Sequence, residues 1–179
     1  MSDTERHLPH LPARAVDLTT RRLALHPLTP QEATRLLEGG EAVDGGYPGG
    51  GDLSAARRFL GLCTRGRDPR PLGAYEIRLR ETSPGGPLTA IGGIDFHGPA
   101  DAHGTVRVGY GLVPAARGHG YASEALRALL ELAGRQGVRA VEADTDHGNA
   151  PSRYVLEAAG LRFVRSDERV RYYRIELSA

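Results

Sequence analysis

The sequence predicts an α/β (α+β) fold, a mixed and mostly antiparallel central sheet of about six to seven strands flanked by about four helices. Three observations predict it. Apolar and polar residues alternate in short stretches such as Tyr75, Ile77 and Leu79, the mark of strands. Ala122, Ala125, Leu126, Leu129, Leu130 and Ala133 recur at helical spacing. Short Gly/Pro turns first join strand to strand, and later segments alternate strand with helix.

The elements follow in chain order. Leu18 to Leu28, with apolar Leu23, Leu25 and Leu28, reads as a first strand. Thr29-Pro30-Gln31-Glu32 opens a helix: Thr29 caps it, Pro30 sits in the first turn and Glu32 lies three residues past the cap. Gly39-Gly40 ends that helix. Gly45 to Gly51 is a glycine-rich loop around Tyr47 and Pro48. The helix after it gathers Leu53, Ala56, Phe59, Leu60 and Cys63 on one face. Strands at Tyr75–Leu79, Ala90–His97 and Thr105–Val113, joined at Ser83–Pro87 and Gly98–Gly104, make an antiparallel meander. A helix to about Arg135 precedes a strand at Val138–Thr145, a helix at Ala150–Ala159, and strands at Leu161–Val164 and Val170–Leu177.

At 179 residues the chain has the size of one domain with a real core. Residues 1–17 read as an N-terminal tail and 18–179 as a single domain. A formal net charge of +1 and no basic cluster give no reason to expect nucleic acid. The one cysteine excludes an intrachain disulfide framework and fits a reducing cytoplasm. It reads as part of a helix core face, since no base stands beside it. No apolar run approaches the ~18–20 residues of a membrane span, and Asp3, Glu5 and Arg6 are unlike a signal peptide.

One stretch organises the chain: Val108-Gly109-Tyr110-Gly111-Leu112-Val113-Pro114, then Ala115-Ala116 and Arg117-Gly118-His119-Gly120-Tyr121-Ala122. It reads as a strand ended by Pro114, a tight turn and the start of a helix. Such a helix end offers unpaired N–H groups and the positive end of the dipole. Gly118 and Gly120 remove obstructing side chains, and Arg117 adds a cation. The turn therefore suits a phosphate or pyrophosphate; the glycine pair by itself describes a plain strand-to-helix turn equally well.

Arg117-x-x-Gly120-x-Ala122 resembles the (Q/R)-x-x-G-x-(G/A) motif of the GNAT superfamily of acyl-CoA-dependent N-acyltransferases. The run from Gly109 to Ala125, and the opening Leu18–Thr29, resemble the Rim-type branch of ribosomal-protein N-terminal acetyltransferases. A second block, Asn149-Ala150-Pro151-Ser152 leading to Gly160-Leu161, resembles the family's N-x-x-S segment, with leucine where the family ends in Gly-Phe. Together the likeness spans about Leu18 to Leu177. It implies acetyl-CoA as co-substrate and no metal. It places the pyrophosphate on Arg117, Gly118, His119, Gly120, Tyr121 and Ala122, the pantetheine along Leu112 and Val113, and a pantetheine bond on Asn149. Read from the residues alone, Asn149 and Pro151 equally describe a helix N-cap with proline in the first turn.

The implied chemistry is direct acetyl transfer from thioester to amine, with both reactants held together. A base takes a proton from the ammonium and an acid returns one to the thiolate, while backbone N–H groups near Leu112 polarise the carbonyl. Two positions depart from the family. Leu156 stands where many relatives have a tyrosine acid, which leaves Ser152, the proposed acid of the Rim-type branch. Arg107 stands where many have a glutamate, and a guanidinium is no base; it suits attraction of an acidic acceptor. Asp95 and His97, on one strand face, are the base candidates, with Glu76 on the strand before; each also reads as a polar residue at a sheet end. The Gly45–Gly51 loop either shapes the acceptor pocket, as in the family, or is only a connection.

The expected function is an acetyl-CoA-dependent N-acetyltransferase acting on a protein N-terminus or a small amine, as a monomer or homodimer, with no nucleic acid or membrane partner. The alternative is a catalytically weak acyl-CoA-binding sensor, supported by Arg107 and Leu156. A nucleotide-binding protein of another class fits poorly, because the Gly-Lys-Ser/Thr ending of a P-loop is absent.

Overall fold

The computed structural model describes residues 16–80 and 88–178. Residues 1–15 of the expected tail, and the Ser83–Pro87 turn, lie outside the described residues. Eight strands form one sheet: β1 (Leu18–Thr19), β2 (Leu23–Pro27), β3 (Ala74–Leu79), β4 (Thr89–Phe96), β5 (Thr105–Leu112), β6 (Ala140–Asp146), β7 (Arg162–Ser166) and β8 (Val170–Glu176). Their order across the sheet is β1-β2-β3-β4-β5-β6-β8-β7. Among the described residues four helices accompany them: α1 (Pro30–Gly39), α2 (Gly50–Cys63), α3 (Tyr121–Arg135) and α4 (Ala150–Ala158).

The single first strand is corrected to two. Thr20 donates its N–H to the Leu23 carbonyl at 2.9 Å, and its hydroxyl accepts the Leu23 N–H at 3.0 Å. That turn folds β1 back on β2, with Leu18 opposite Leu25, and raises the strand count to eight. Apolar spacing at Leu23, Leu25 and Leu28 cannot register a turn closed by a threonine side chain. A 3-10 turn at Pro114–Ala116, also unforeseen, links β5 to the loop before α3.

Helix α1 begins as expected: Thr29 accepts from the Glu32 N–H, and Glu32 accepts from the Thr29 N–H at 2.8 Å, closing a capping box. Strands β1 to β5 are antiparallel, and β5 pairs in parallel with β6 through the α3 crossover. Strand β8 inserts antiparallel between β6 and β7.

Two cores lie on opposite faces of the sheet. Tyr75 and Ile77 of β3 join Val106 and Val108 of β5 and Leu126 and Leu129 of α3. The adjacent Ala74 instead joins Ala33 of α1 and Ala56 and Phe59 of α2, as alternation along a strand requires. Each fully buried leucine stabilises the fold by about 1.5–3 kcal/mol. Leu126 and Leu129, both at 0% exposure, therefore anchor α3 without help from its first turn.

Strands β5 and β6 pair only from Thr105–Ala140 to Arg107–Glu142. Beyond that, β5 stays with β4 up to Leu112 while β6 stays with β8 up to Asp146. A gap opens between them, and α3 and α4 begin at its two lips. No helix among the described residues is long and apolar enough to cross a membrane.

Candidate functional site

The gap between β5 and β6 is a cleft of about 530 Å3. On its β5 side stand Leu112, Arg117, Gly118, Gly120, Tyr121 and Ala122; on its α4 side stand Asn149 and Ser152. Gly118 and Gly120 both hold φ +78°, a conformation costing other L-residues roughly 1–2 kcal/mol. Helix α3 has no side-chain cap. The first donor of its opening turn to find a backbone partner is Glu124, whose N–H reaches the Gly120 carbonyl at 3.1 Å. The N–H groups ahead of it and the positive end of the dipole face a cleft suited to an anion, so these residues fit a pyrophosphate.

Two of the expected cofactor residues, Val113 and His119, are not among those that line this cleft. Val113 lines the neighbouring cavity and its N–H is committed to the Ile91 carbonyl at 2.9 Å. His119 turns its carbonyl to Arg22, 2.8 Å away, and its ring lies against Tyr121 at 5.5 Å. Arg117 donates from Nε to the Leu112 carbonyl at 3.1 Å. Asn149 caps α4, accepting the Ser152 N–H at 3.1 Å through Oδ1, which leaves its side-chain amide nitrogen as a donor beside the cleft.

A second cavity, of about 490 Å3, lies between α2 and the other face of β4 and β5. Its floor is bare backbone. A Cβ at Gly93 would run into Asp52 Oδ1, and one at Gly109 would come 2.6 Å from His97 Nε2. Glycine at those positions lets Asp52 and His97 lie flat on the sheet. Asp95 is buried and ion-paired to Arg58 at 2.8 Å; His97 Nε2 lies 3.9 Å from its other oxygen. Burial pushes the His97 imidazole below its ordinary value despite the pull of Asp95. Burial likewise raises the Asp52 carboxyl, aided by the like charges of Asp95 and Glu76 and opposed by the Gly49 N–H. The Gly45–Gly51 stretch, whose last two glycines open α2, contributes Gly45, Gly46, Gly49, Gly50 and Gly51 to this cavity. Arg107 turns to Asp144, 3.8 Å away, and to the Tyr172 ring.

Four residues, Tyr110, Gly111, Leu112 and Arg117, line both cavities. Tyr110 reaches across the gap, its hydroxyl 2.9 Å from Ser152 Oγ. Sequence reasoning missed Tyr110, Asp52 and Arg22. Arg22 pairs with Glu124 at 2.7 Å and stands over the Tyr121 ring at 4.6 Å, pinning the outside of the α3 turn. Tyr110 at least carried a signal, as the one aromatic in the strand that feeds the turn.

A family model for the acetyltransferase (GNAT) domain matches residues 22–162, and the chain belongs to that family. No curated protein matches the chain in sequence. The fold is shared with an acetyltransferase from Agrobacterium tumefaciens, at a TM-score of 0.63 and 23% identity over 94% of this chain and 98% of that one. It is also shared with RimL, a ribosomal-protein alpha-N-acetyltransferase solved with coenzyme A, at 0.62 and 15% over 90% and 98%. A microcin self-immunity acetyltransferase, MccE, solved with acetyl-CoA and AMP, superposes at 0.58 and 14% over 88% and 94%.

Proposed function

We propose, from this membership of the GNAT acetyltransferase family, that residues 18–179 form one domain that moves an acetyl group from acetyl-CoA to an amine by direct transfer in a ternary complex. The acceptor is a protein N-terminal amine or a small amine, met in the cytoplasm. The observation that carries this reading is the shared wall: two cavities meet along Tyr110, Gly111, Leu112 and Arg117. One reactant in each would meet its partner there, which is the arrangement direct transfer needs. The solved relatives RimL, with coenzyme A, and MccE, with acetyl-CoA, support the choice of donor.

Bound acetyl-CoA supplies the thioester. The turn from Gly118 to Ala122 and the first N–H groups of α3 hold its pyrophosphate. The free edge of β5 up to Leu112 and the amide of Asn149 hold the pantetheine. On the other side Asp52, on which the like charges of Asp95 and Glu76 bear, receives the acceptor's ammonium. His97, kept neutral by burial, accepts a proton beside it. Asp95, ion-paired to Arg58 and 3.9 Å from His97 Nε2, steadies the imidazolium by its charge rather than acting as the base. Ser152 protonates the leaving sulfur.

Initial rates at varied acetyl-CoA and amine test the reading. Intersecting double-reciprocal lines fit a ternary complex; parallel lines with an acetylated enzyme would refute direct transfer.

A further inference from the structure

Tyr110 and Ser152 are 42 residues apart and meet across the gap between β5 and α4. The Tyr110 hydroxyl lies 2.9 Å from Ser152 Oγ and 3.1 Å from the Ser152 carbonyl. The serine backbone is fixed separately, because its N–H donates to Asn149 Oδ1 at 3.1 Å. Among the described residues, the Tyr110 hydroxyl is the hydrogen-bond partner of Ser152 Oγ, and it decides where the serine proton points. If Tyr110 donates to the carbonyl, the serine proton is free to turn back onto the phenol oxygen. If Tyr110 donates to Oγ, that lone pair is filled and the serine proton faces the cleft.

We propose that Tyr110 is the positioning residue for the leaving-group acid: it donates to Ser152 Oγ and so aims the serine proton at the sulfur. This rests on the assignment of Ser152 as that acid. As the acceptor nitrogen bonds to the acetyl carbon, the carbon–sulfur bond breaks and its electron pair stays on sulfur. Ser152 Oγ passes its proton to that sulfur, and solvent returns to Oγ a proton equivalent to one the ammonium sheds, while Tyr110 keeps its own. Burial pushes the Tyr110 phenol up to about 12, which keeps it protonated, and able to donate, at neutral pH.

The whole chain is assayed with acetyl-CoA and the fastest amine of a mixed amine and N-terminal-peptide panel, as wild type, Tyr110→Phe, Ser152→Ala and the double variant. Phenylalanine keeps the ring and removes only the hydroxyl. Tyr110→Phe should lower kcat about tenfold, the worth of one well-placed hydrogen bond. The KM for acetyl-CoA and the affinity for coenzyme A should stay within about twofold, and the double variant should match Ser152→Ala alone. A Tyr110→Phe loss in KM and melting temperature with kcat intact, or losses that multiply in the double variant, would show a merely structural contact and overturn the inference. A larger kcat loss in Tyr110→Phe than in Ser152→Ala would overturn it too, by making Tyr110 itself the donor. An active Ser152→Ala variant overturns the underlying acid assignment, and a wild type that releases no thiol with any amine overturns the function as well; both take the inference with them.

Discussion

The imidazole of His97 lies across Gly109, so close that a Cβ there would stand 2.6 Å from Nε2. The atom in the way is the far end of a side chain that is 32% exposed, so it can swing aside. Gly109→Ala should therefore fold, with stability within about 1–3 kcal/mol of wild type, yet displace His97 from the cavity floor. The KM for the amine should rise several-fold while coenzyme A affinity holds. Steady-state kinetics beside a calorimetric coenzyme A titration check this; unchanged amine kinetics would detach His97 from the acceptor.

Asp52 lies on the same floor, over Gly93. Burial, with Asp95 and Glu76 nearby, raises its carboxyl. Only an ionised carboxylate holds the acceptor's ammonium, so kcat/KM should grow as pH rises through that raised value. The acid limb of kcat/KM should then lie above the ordinary aspartate value of about 3.9. Asp52→Asn keeps an oxygen for the Gly49 N–H, which donates at 2.8 Å, so stability should change by less than about 1 kcal/mol. The variant should lose the limb and raise the amine KM. A retained limb with an unchanged amine KM would remove Asp52 from the acceptor site.

Gly120 caps α3 at φ +78° and faces the cleft. Gly120→Asp puts bulk and negative charge where the pyrophosphate should sit, with a conformational cost of about 1–2 kcal/mol. Calorimetry should find no coenzyme A binding to a variant that still melts cooperatively. Undiminished affinity would remove the turn from the binding site.

Asn149 and Ser152 are expected to divide the roles of helix cap and leaving-group acid. The cap of α4 is the Asn149 side chain, and Ser152 supplies only its backbone N–H to it. Ser152→Ala should lower kcat about 10²-fold with little change in melting temperature. Asn149→Ala should cost about 1 kcal/mol of stability and weaken coenzyme A. Measuring both quantities on both variants checks the division; a destabilised but fully active Ser152→Ala would leave water as the proton donor.

What the sequence made legible was local. Thr29 and Glu32 announce a helix start three residues apart, and Gly118 and Gly120 announce the tight turn before α3, because caps and tight turns are written in adjacent residues. What stayed hidden was long-range pairing. Arg58 meets Asp95 across 37 residues and Arg22 meets Glu124 across 102. Neither partner can be told from a solvated surface charge in the sequence alone. The first of these pairs sets Asp95, an expected base candidate, in an ion pair. Asp52 was overlooked because at the third position of α2 it reads as an ordinary first-turn acid. The β1–β2 turn escaped notice because one threonine hydroxyl closes it.

The central claim is that a thioester in the β5–β6 gap meets an amine across the wall of Tyr110, Gly111, Leu112 and Arg117. The most direct test follows free thiol release from acetyl-CoA by the whole chain, with and without a panel of small amines and N-terminal peptides. Thiol release that depends on an amine and matches the acetylated amine one for one is the predicted result. Tight coenzyme A binding with no amine-dependent thiol from any member of the panel would contradict it, and would leave an acyl-CoA sensor in its place.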